Sequence, residues 1–368
     1  MQINHLSLKN FRNAPETEID FCSGVNVICG SNAAGKTNIL ESVFYFAAGK
    51  SFRNCKDREL ISFGADRANI AMDFTAKGFN SKMSAVLQKQ GRRIIKIGES
   101  MPLRLNEYIG RFRAVIFTPD HLNLVKGAPE NRRRFMDLAI CQSFPRYAAT
   151  LSEYNRVLAQ KNALLKRGNV VNELLEVYND KLATLAAIIT VNRRKYVAKL
   201  EEEAKNFLLD MSNGKEALTL SYQSQAGDAE TQEEIRDKYK KLLSEKMQFE
   251  KERFISYYGT HKDDFTIIVN KKQAKTYASQ GQQRSIVLAL KLAEGELSAK
   301  LTDEYPVFLL DDILSELDKD RKNYILSRIK GRQVIITGCE SEIFDTETDG
   351  NRIFVENGSI VPELSCNE

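Results

Sequence analysis

One segment narrows the choice of fold more than any other. Gly30-Ser31-Asn32-Ala33-Ala34-Gly35-Lys36-Thr37 follows an apolar run, Val25 to Cys29, and opens a stretch whose Ile39, Leu40, Val43, Phe44 and Ala47 share one helical face. Gly49 supplies a left-handed stop after it. A loop that receives a phosphate must aim several backbone N–H groups at one anion, so glycines are needed where the chain turns tightly and approaches closely. It also needs a lysine for the outer phosphates and a hydroxyl for Mg2+. Here Gly30 and Gly35 bracket the loop, Lys36 is the phosphate lysine and Thr37 the metal hydroxyl. A chance glycine turn has no reason to be flanked by both a strand and an amphipathic helix. The segment therefore predicts an α/β fold with a nucleotide at this loop.

A second run complements the first. Val307-Phe308-Leu309-Leu310 is apolar and ends in Asp311-Asp312. Acids at the carboxyl end of a buried parallel strand face the nucleotide crevice. Asp311 is expected to hold Mg2+, directly or through water, and Asp312 to orient an attacking water and accept its proton. An aspartate pair after a core strand is also a common helix cap, and the phosphate loop upstream decides for the metal. Ala278-Ser279-Gln280-Gly281-Gln282-Gln283-Arg284 leads into the apolar helix Ile286 to Leu290. Alone, Ser279 reads as an ordinary N-cap; a hydroxyl and a glycine at a helix N-terminus also make an anion site.

Apolar periodicity places early strands at Ile3 to Leu8 and Ile19 to Phe21, with further strands near 67–75, 83–88, 93–97 and at Ala114 to Phe117. From about 130 to 255 the period becomes helical: Leu151, Tyr154, Leu158 and Leu165, then Leu174, Tyr178, Leu182, Leu185 and Ile189. Lys166-Arg167-Gly168-Asn169 between them predicts a turn in an antiparallel helical pair. Segment 212–232 is expected to be a flexible loop. The last third returns to α/β, with a helix near 319–329, a strand Val334 to Ile336 and a hairpin around Glu356-Asn357-Gly358-Ser359. With 54 basic against 49 acidic residues, the net +5 permits an anionic partner without demanding one. Six scattered cysteines (Cys22, Cys29, Cys55, Cys141, Cys339, Cys366) and three distant histidines argue for free thiols in a reducing compartment over zinc. The N-terminus lacks a signal-peptide profile, no apolar run reaches the roughly 20 residues that span a bilayer, and a soluble cytoplasmic protein is expected.

The order of phosphate loop, inserted helical region, Ser-x-Gly-Gln helix, apolar-Asp-Asp strand and Ser315-Glu316-Leu317-Asp318 resembles that of ABC-type ATPases. Finer blocks resemble the RecF family of bacterial recombination mediators, SMC-like members of that class. They are Leu6 to Asn13, the phosphate loop, Phe117 to Leu122, Val125 to Pro129, Arg132 to Asp137, Ser279 to Arg284, and Leu309 through Asp318. The resemblance implies an α/β ABC-type P-loop ATPase head with a mixed sheet and an inserted mainly helical lobe. Its lobes would be 1–115, 116–274 and 275–368. It assigns ATP and Mg2+ as cofactors, with Arg12 as the N-terminal arginine of the ATP site. Ser279, Gly281 and Gln282 of a second copy would cover the γ-phosphate, and Ser315 to Asp318 would lie at the dimer interface. It implies an ATP-dependent homodimer on DNA at single-strand gaps and stalled forks, working with RecO and RecR to load RecA, and a place in the SOS response.

Two departures from transporter-type members stand out. The second acid is Asp312, one methylene shorter than glutamate, so slow hydrolysis is expected. The segment Thr337-Gly338-Cys339 carries no switch histidine, and Thr337 is the nearest sensor of the γ-phosphate. Phe117 to Asp120 stands in the Q-loop place without a glutamine. Basic clusters available for DNA are Arg92-Arg93 with Lys96, Arg104 with Arg111 and Arg113, Arg132-Arg133-Arg134, Lys161 with Lys166-Arg167, and Arg193-Arg194-Lys195. Aromatic interleaving is sparse and tryptophan absent, which favours contact with duplex backbone, expected on the helical lobe and between two subunits. The competing classes are a chromosome-structure SMC, a transport ABC subunit and a small-molecule kinase. They would call for long heptad arms, a switch histidine with a membrane partner, and an acceptor site, respectively.

Overall fold

The computed structural model describes residues 1–168, 171–338 and 350–362; Asn169, Cys339 and Cys366 lie outside them. Two compact units are formed, Met1–His121 with Leu290–Glu368, and Leu122–Ala289.

The first unit holds two sheets. In the six-stranded sheet the strands Asn351–Glu356, Val25–Cys29, Val334–Gly338, Val307–Asp311 and Ala114–Phe117 run parallel in that spatial order, and Ser359–Val361 adds an antiparallel edge. Three of these strands, Val307–Asp311, Val334–Gly338 and Ala114–Phe117, are buried at every position, which is why they read as continuous apolar runs. The strand that ends in Asp311 is not next to the one that feeds the phosphate loop. Val334–Gly338 lies between them and pairs Thr337 with both Asp311 and Ile28. The second sheet, Ala14–Asp20, Gln2–Phe11, Arg67–Ala76, Phe79–Gln88 and Ile94–Ile97 in spatial order, is antiparallel throughout.

The helix after the phosphate loop spans Lys36–Ala48 and stops at Gly49, whose φ of 67° makes the expected left-handed cap. The C-terminal hairpin supports the loop from below. Gly358 N–H donates to Ala34 O at 2.7 Å, and a Cβ on Gly358 would lie 2.1 Å from Asn13 O. Only glycine fits there, which gives the Asn357-Gly358 turn a role in shaping the loop.

The second unit is mainly helical, with Pro129–Ser143, Pro145–Arg167 and the 40-residue Asn172–Met211 as its long helices before Gln280. The expected flexible loop at 212–232 is a correction: Leu218–Gln223 is a strand, paired antiparallel with Asp264–Val269. Its alternating burial follows the Leu218, Leu220, Tyr222 period, and its partner lies far away in sequence. The helix Gln280–Thr302 begins in this unit and ends in the first.

Candidate functional site

The first unit contains a cavity of about 370 Å3 lined by Asn13, Asn32 to Asn38, Arg53 and Asp312. The Lys36–Ala48 helix begins at Gly35 with no side-chain cap and no acid in its first turn, so its N-terminal amides face the loop without a competing carboxylate. Three residues of the loop hold positive φ: Gly30 at 157°, Ala33 at 66° and Gly35 at 115°. Left-handed geometry costs a non-glycine residue such as Ala33 about 1–3 kcal/mol and persists only where the surroundings impose it. Gly30 is needed for proximity, since a Cβ there would sit 2.3 Å from Val355 O.

Lys36 is only 5% exposed, and its Nζ donates to Gly30 O at 2.7 Å and Ser31 O at 3.1 Å. Among the described residues no carboxylate pairs with it. A buried ammonium held only by carbonyls retains an uncompensated charge, and a polyphosphate is the anion that fits this loop.

Thr37 Oγ1 donates to Asp311 Oδ1 at 2.7 Å, and Thr337 Oγ1 donates to the same oxygen at 3.0 Å. Burial pushes the Asp311 carboxyl up, the two hydroxyls pull it down, and Asp312 pushes it up again. An anionic oxygen beside a hydroxyl is a hard-oxygen donor set, and a divalent cation would offset the cost of burying that charge. Asp312 lies on the cavity wall with φ 50°, its N–H donating to Thr337 Oγ1 at 3.1 Å. Thr337 thus ties both acids, a position set by the inserted strand. Replacing it with the isosteric valine removes two bonds of about 1 kcal/mol each. Thr337→Val is expected to weaken nucleotide-dependent Mg2+ binding about tenfold, read by calorimetry, with a urea midpoint only slightly lowered.

Arg12 is not brought to the cavity lining. Its guanidinium forks onto buried Glu41, Nε to Oε2 and Nη2 to Oε1 both at 2.8 Å, and reaches Glu59 O at 2.9 Å. Asn13, Asn38 and Arg53 line the cavity instead: Asn38 Nδ2 donates to Asn13 Oδ1 at 2.8 Å, and Arg53 Nη1 to Asn38 Oδ1 at 2.9 Å. The signal for them was adjacency, Asn13 following Arg12 and Asn38 following Thr37.

Ser279 lies in the second unit as a helix cap. Its Oγ accepts from Gln282 N–H at 3.2 Å, while Gln282 Oε1 accepts from Ser279 N–H at 2.9 Å. Gln282 Nε2 donates to Glu216 Oε1 at 2.9 Å, and Gly281 lies in the first turn. Ser315 Oγ donates to Asp312 O at 2.8 Å, and Asp318 caps the Lys319–Ile329 helix through Arg321 N–H.

The model of the RecF/RecN/SMC N terminal domain matches residues 2–361. The DNA replication and repair protein RecF of Clostridium perfringens (strain SM101 / Type A) is 38% identical over 362 residues, 98% of this chain and 99% of that one. The chain belongs to the RecF family. A solved RecF structure, described as the recombination mediator protein RecF-ATPrS in the RecFOR pathway, superposes with a TM-score of 0.92 at 33% identity, covering 99% of this chain and 98% of that one. The Smc head domain of Pyrococcus furiosus, at 17% identity and a TM-score of 0.55, covers 98% of this chain and 95% of that one and shares the fold. As the resemblance implied, this RecF-family chain has the ABC/SMC-type ATPase head with a helical lobe.

Several cations that the sequence offered to DNA are structural in this RecF-family chain. Arg193, 2% exposed, forks onto Asp137 at 2.8 Å and donates to Thr260 O at 2.7 Å. Arg132 forks onto Asp264, and Lys161 pairs with Glu250 at 2.5 Å, both partners of that second pair being fully buried. Arg113 pairs with Glu304 at 2.9 Å. Removing one member of such pairs would leave a buried charge, so each of these residues stabilises the unit it belongs to. Among the described residues no helix is long and apolar enough to cross a membrane.

Proposed function

We propose that this chain is an ATP-dependent DNA-binding protein of recombinational repair and replication-fork maintenance, in which ATP and Mg2+ bound at the phosphate loop close two copies on DNA. The observation that carries the reading is the convergence of uncapped helix amides, Lys36, Thr37 and Asp312 on one cavity, with Asp311 bonded to Thr37 behind it, in a RecF-family chain. Lys36 and the amides of Ser31 to Thr37 hold the β- and γ-phosphates. Thr37 and Asp311 hold Mg2+, which when bound neutralises phosphate charge. Asp312 orients the attacking water; its short side chain keeps turnover slow, so bound nucleotide acts as a clamp. Ser279, Gly281 and Gln282 from the second copy close over the γ-phosphate, at the N-terminus of a long helix with no acid in its first turn.

The named partners follow the family. Relatives carry the name DNA replication and repair protein RecF, and the solved relative is placed in the RecFOR pathway, so RecO and RecR are the proposed protein partners and RecA loading at gaps the proposed outcome. The test is fluorescence anisotropy of gapped duplex DNA with ATP, ADP or no nucleotide. Affinity is expected to rise at least tenfold with ATP alone and to fall steeply with salt. Equal binding in all three states would contradict the reading.

A further inference from the structure

Phe63 is fully exposed, the most exposed large apolar residue among those described. It does not sit on a loose tail. The backbone on either side is tied into the first unit: Arg12 N–H donates to Leu60 O at 2.7 Å, Phe11 bridges Ile61, Ser62 N–H donates to Asn10 O at 2.9 Å, and Ala65 N–H closes the turn on Ser62 O at 3.1 Å. Gly64 at φ 85° lets the chain reverse directly after the ring. A phenylalanine held out in water on a fixed turn forgoes the burial that would stabilise the fold, so its apolar face is available to a partner.

The neighbouring charges indicate which partner. Arg58 lies in the turn Asp57–Leu60 just before it, and Arg67 opens the strand that leaves it. Lys89 N–H donates to Asp66 O at 3.1 Å, and Arg67 faces Gln88 across the ladder, so Lys89 and Arg92 follow on the adjoining arm. Among the described residues Arg58, Arg67 and Arg92 have no ion-pair partner, and the exposed acids Glu59 and Asp66 are outnumbered. The same short backbone segment that accepts from Ser62 ends in Asn13, on the wall of the nucleotide cavity.

We propose that the Ser62–Ala65 turn is a nucleic-acid contact in which Phe63 stacks on a base exposed where a duplex is interrupted, while Arg58, Arg67, Lys89 and Arg92 hold the flanking phosphates. An intact duplex offers phosphates but no free base face, so the cations give affinity and the ring gives preference for the interruption. This rests on the proposed function and adds the residue that distinguishes a gap from continuous duplex. It also moves a contact surface from the helical lobe, where the sequence placed it, to the antiparallel sheet of the first unit.

The test compares two DNAs with ATP present: a duplex closed at both ends by hairpins, and the same molecule carrying a single-stranded gap. Wild type is expected to prefer the gapped form. Phe63→Ala is expected to lose about 5- to 150-fold of that preference, the equivalent of ~1–3 kcal/mol of base stacking, with closed-duplex affinity unchanged. Phe63→Trp keeps the preference, and because the chain has no other tryptophan, its emission should be quenched by the gapped DNA and not by the closed one. Arg67→Gln and Arg92→Gln weaken both DNAs alike and lower the salt slope by about one each. A wild-type ratio in Phe63→Ala, an unresponsive indole, or a loss of dimerisation with DNA preference intact would overturn the proposal. Wild type that ignores both DNAs would instead overturn the functional reading beneath it.

Discussion

Lys36→Ala is expected to abolish measurable nucleotide binding at working concentrations. The Lys36 ammonium is buried in its loop and held by two backbone carbonyls, Gly30 O and Ser31 O, and among the described residues no acid neutralises it. A triphosphate entering the cavity gains this charge together with the helix amides, in a setting where water screens little. Truncating one partner of a desolvated charge pair costs ~2–5 kcal/mol, or about 30- to 5,000-fold in Kd. Isothermal calorimetry with ATP and Mg2+ reads this directly. The fold should tolerate the change, because alanine is the best helix former and Lys36 opens its helix. ATP affinity at the wild-type level in a folded variant would show that the cavity is not the nucleotide site.

Ser279→Arg is the second large effect, and it separates binding from closure. Ser279 and Gln282 cap one another at the start of the Gln280–Thr302 helix, so losing the serine hydroxyl costs ~1 kcal/mol of local stability. That is small beside a bulky cation placed where a second copy's phosphates and their Mg2+ must fit. The single chain is expected to bind ATP as wild type does, because Ser279 is not among the residues that line the cavity. Dimer formation with ATP should disappear. Ser279→Ala, which loses the cap alone, separates the steric effect from the capping one and should retain dimerisation.

Much of the site was legible because its chemistry is local in sequence. Gly30 to Thr37 needs one strand, one tight loop and one helix, and Val307 to Asp312 needs one apolar run with acids at its end; both patterns survive without knowledge of their neighbours. Contacts that depend on distant chain were not legible. Thr337 joins the two acids only because its strand is inserted between two others. Gly358 supports the loop through Ala34, more than three hundred residues upstream. Leu218–Gln223 becomes a strand because Asp264–Val269 pairs with it, and its own alternation was masked by glycines on either side. Arg12 illustrates a different limit. A motif position told its family role, while Glu41, buried beneath it, holds the guanidinium here. The basic clusters could not be sorted from sequence for the same reason, since it counts charges and cannot see that Asp137 faces Arg193 or that Glu250 faces Lys161.

The central claim is that the nucleotide site is shared, half of it in the Gly30–Thr37 loop of one copy and half in the Ser279 loop of another. Its most direct test is the solution mass of the wild-type chain by light scattering, with ATP and Mg2+, with ADP and Mg2+, and with neither. A dimer is expected with ATP only, and a monomer in the other two conditions. A chain that remains monomeric in saturating ATP, or that is dimeric whatever the nucleotide, would contradict it.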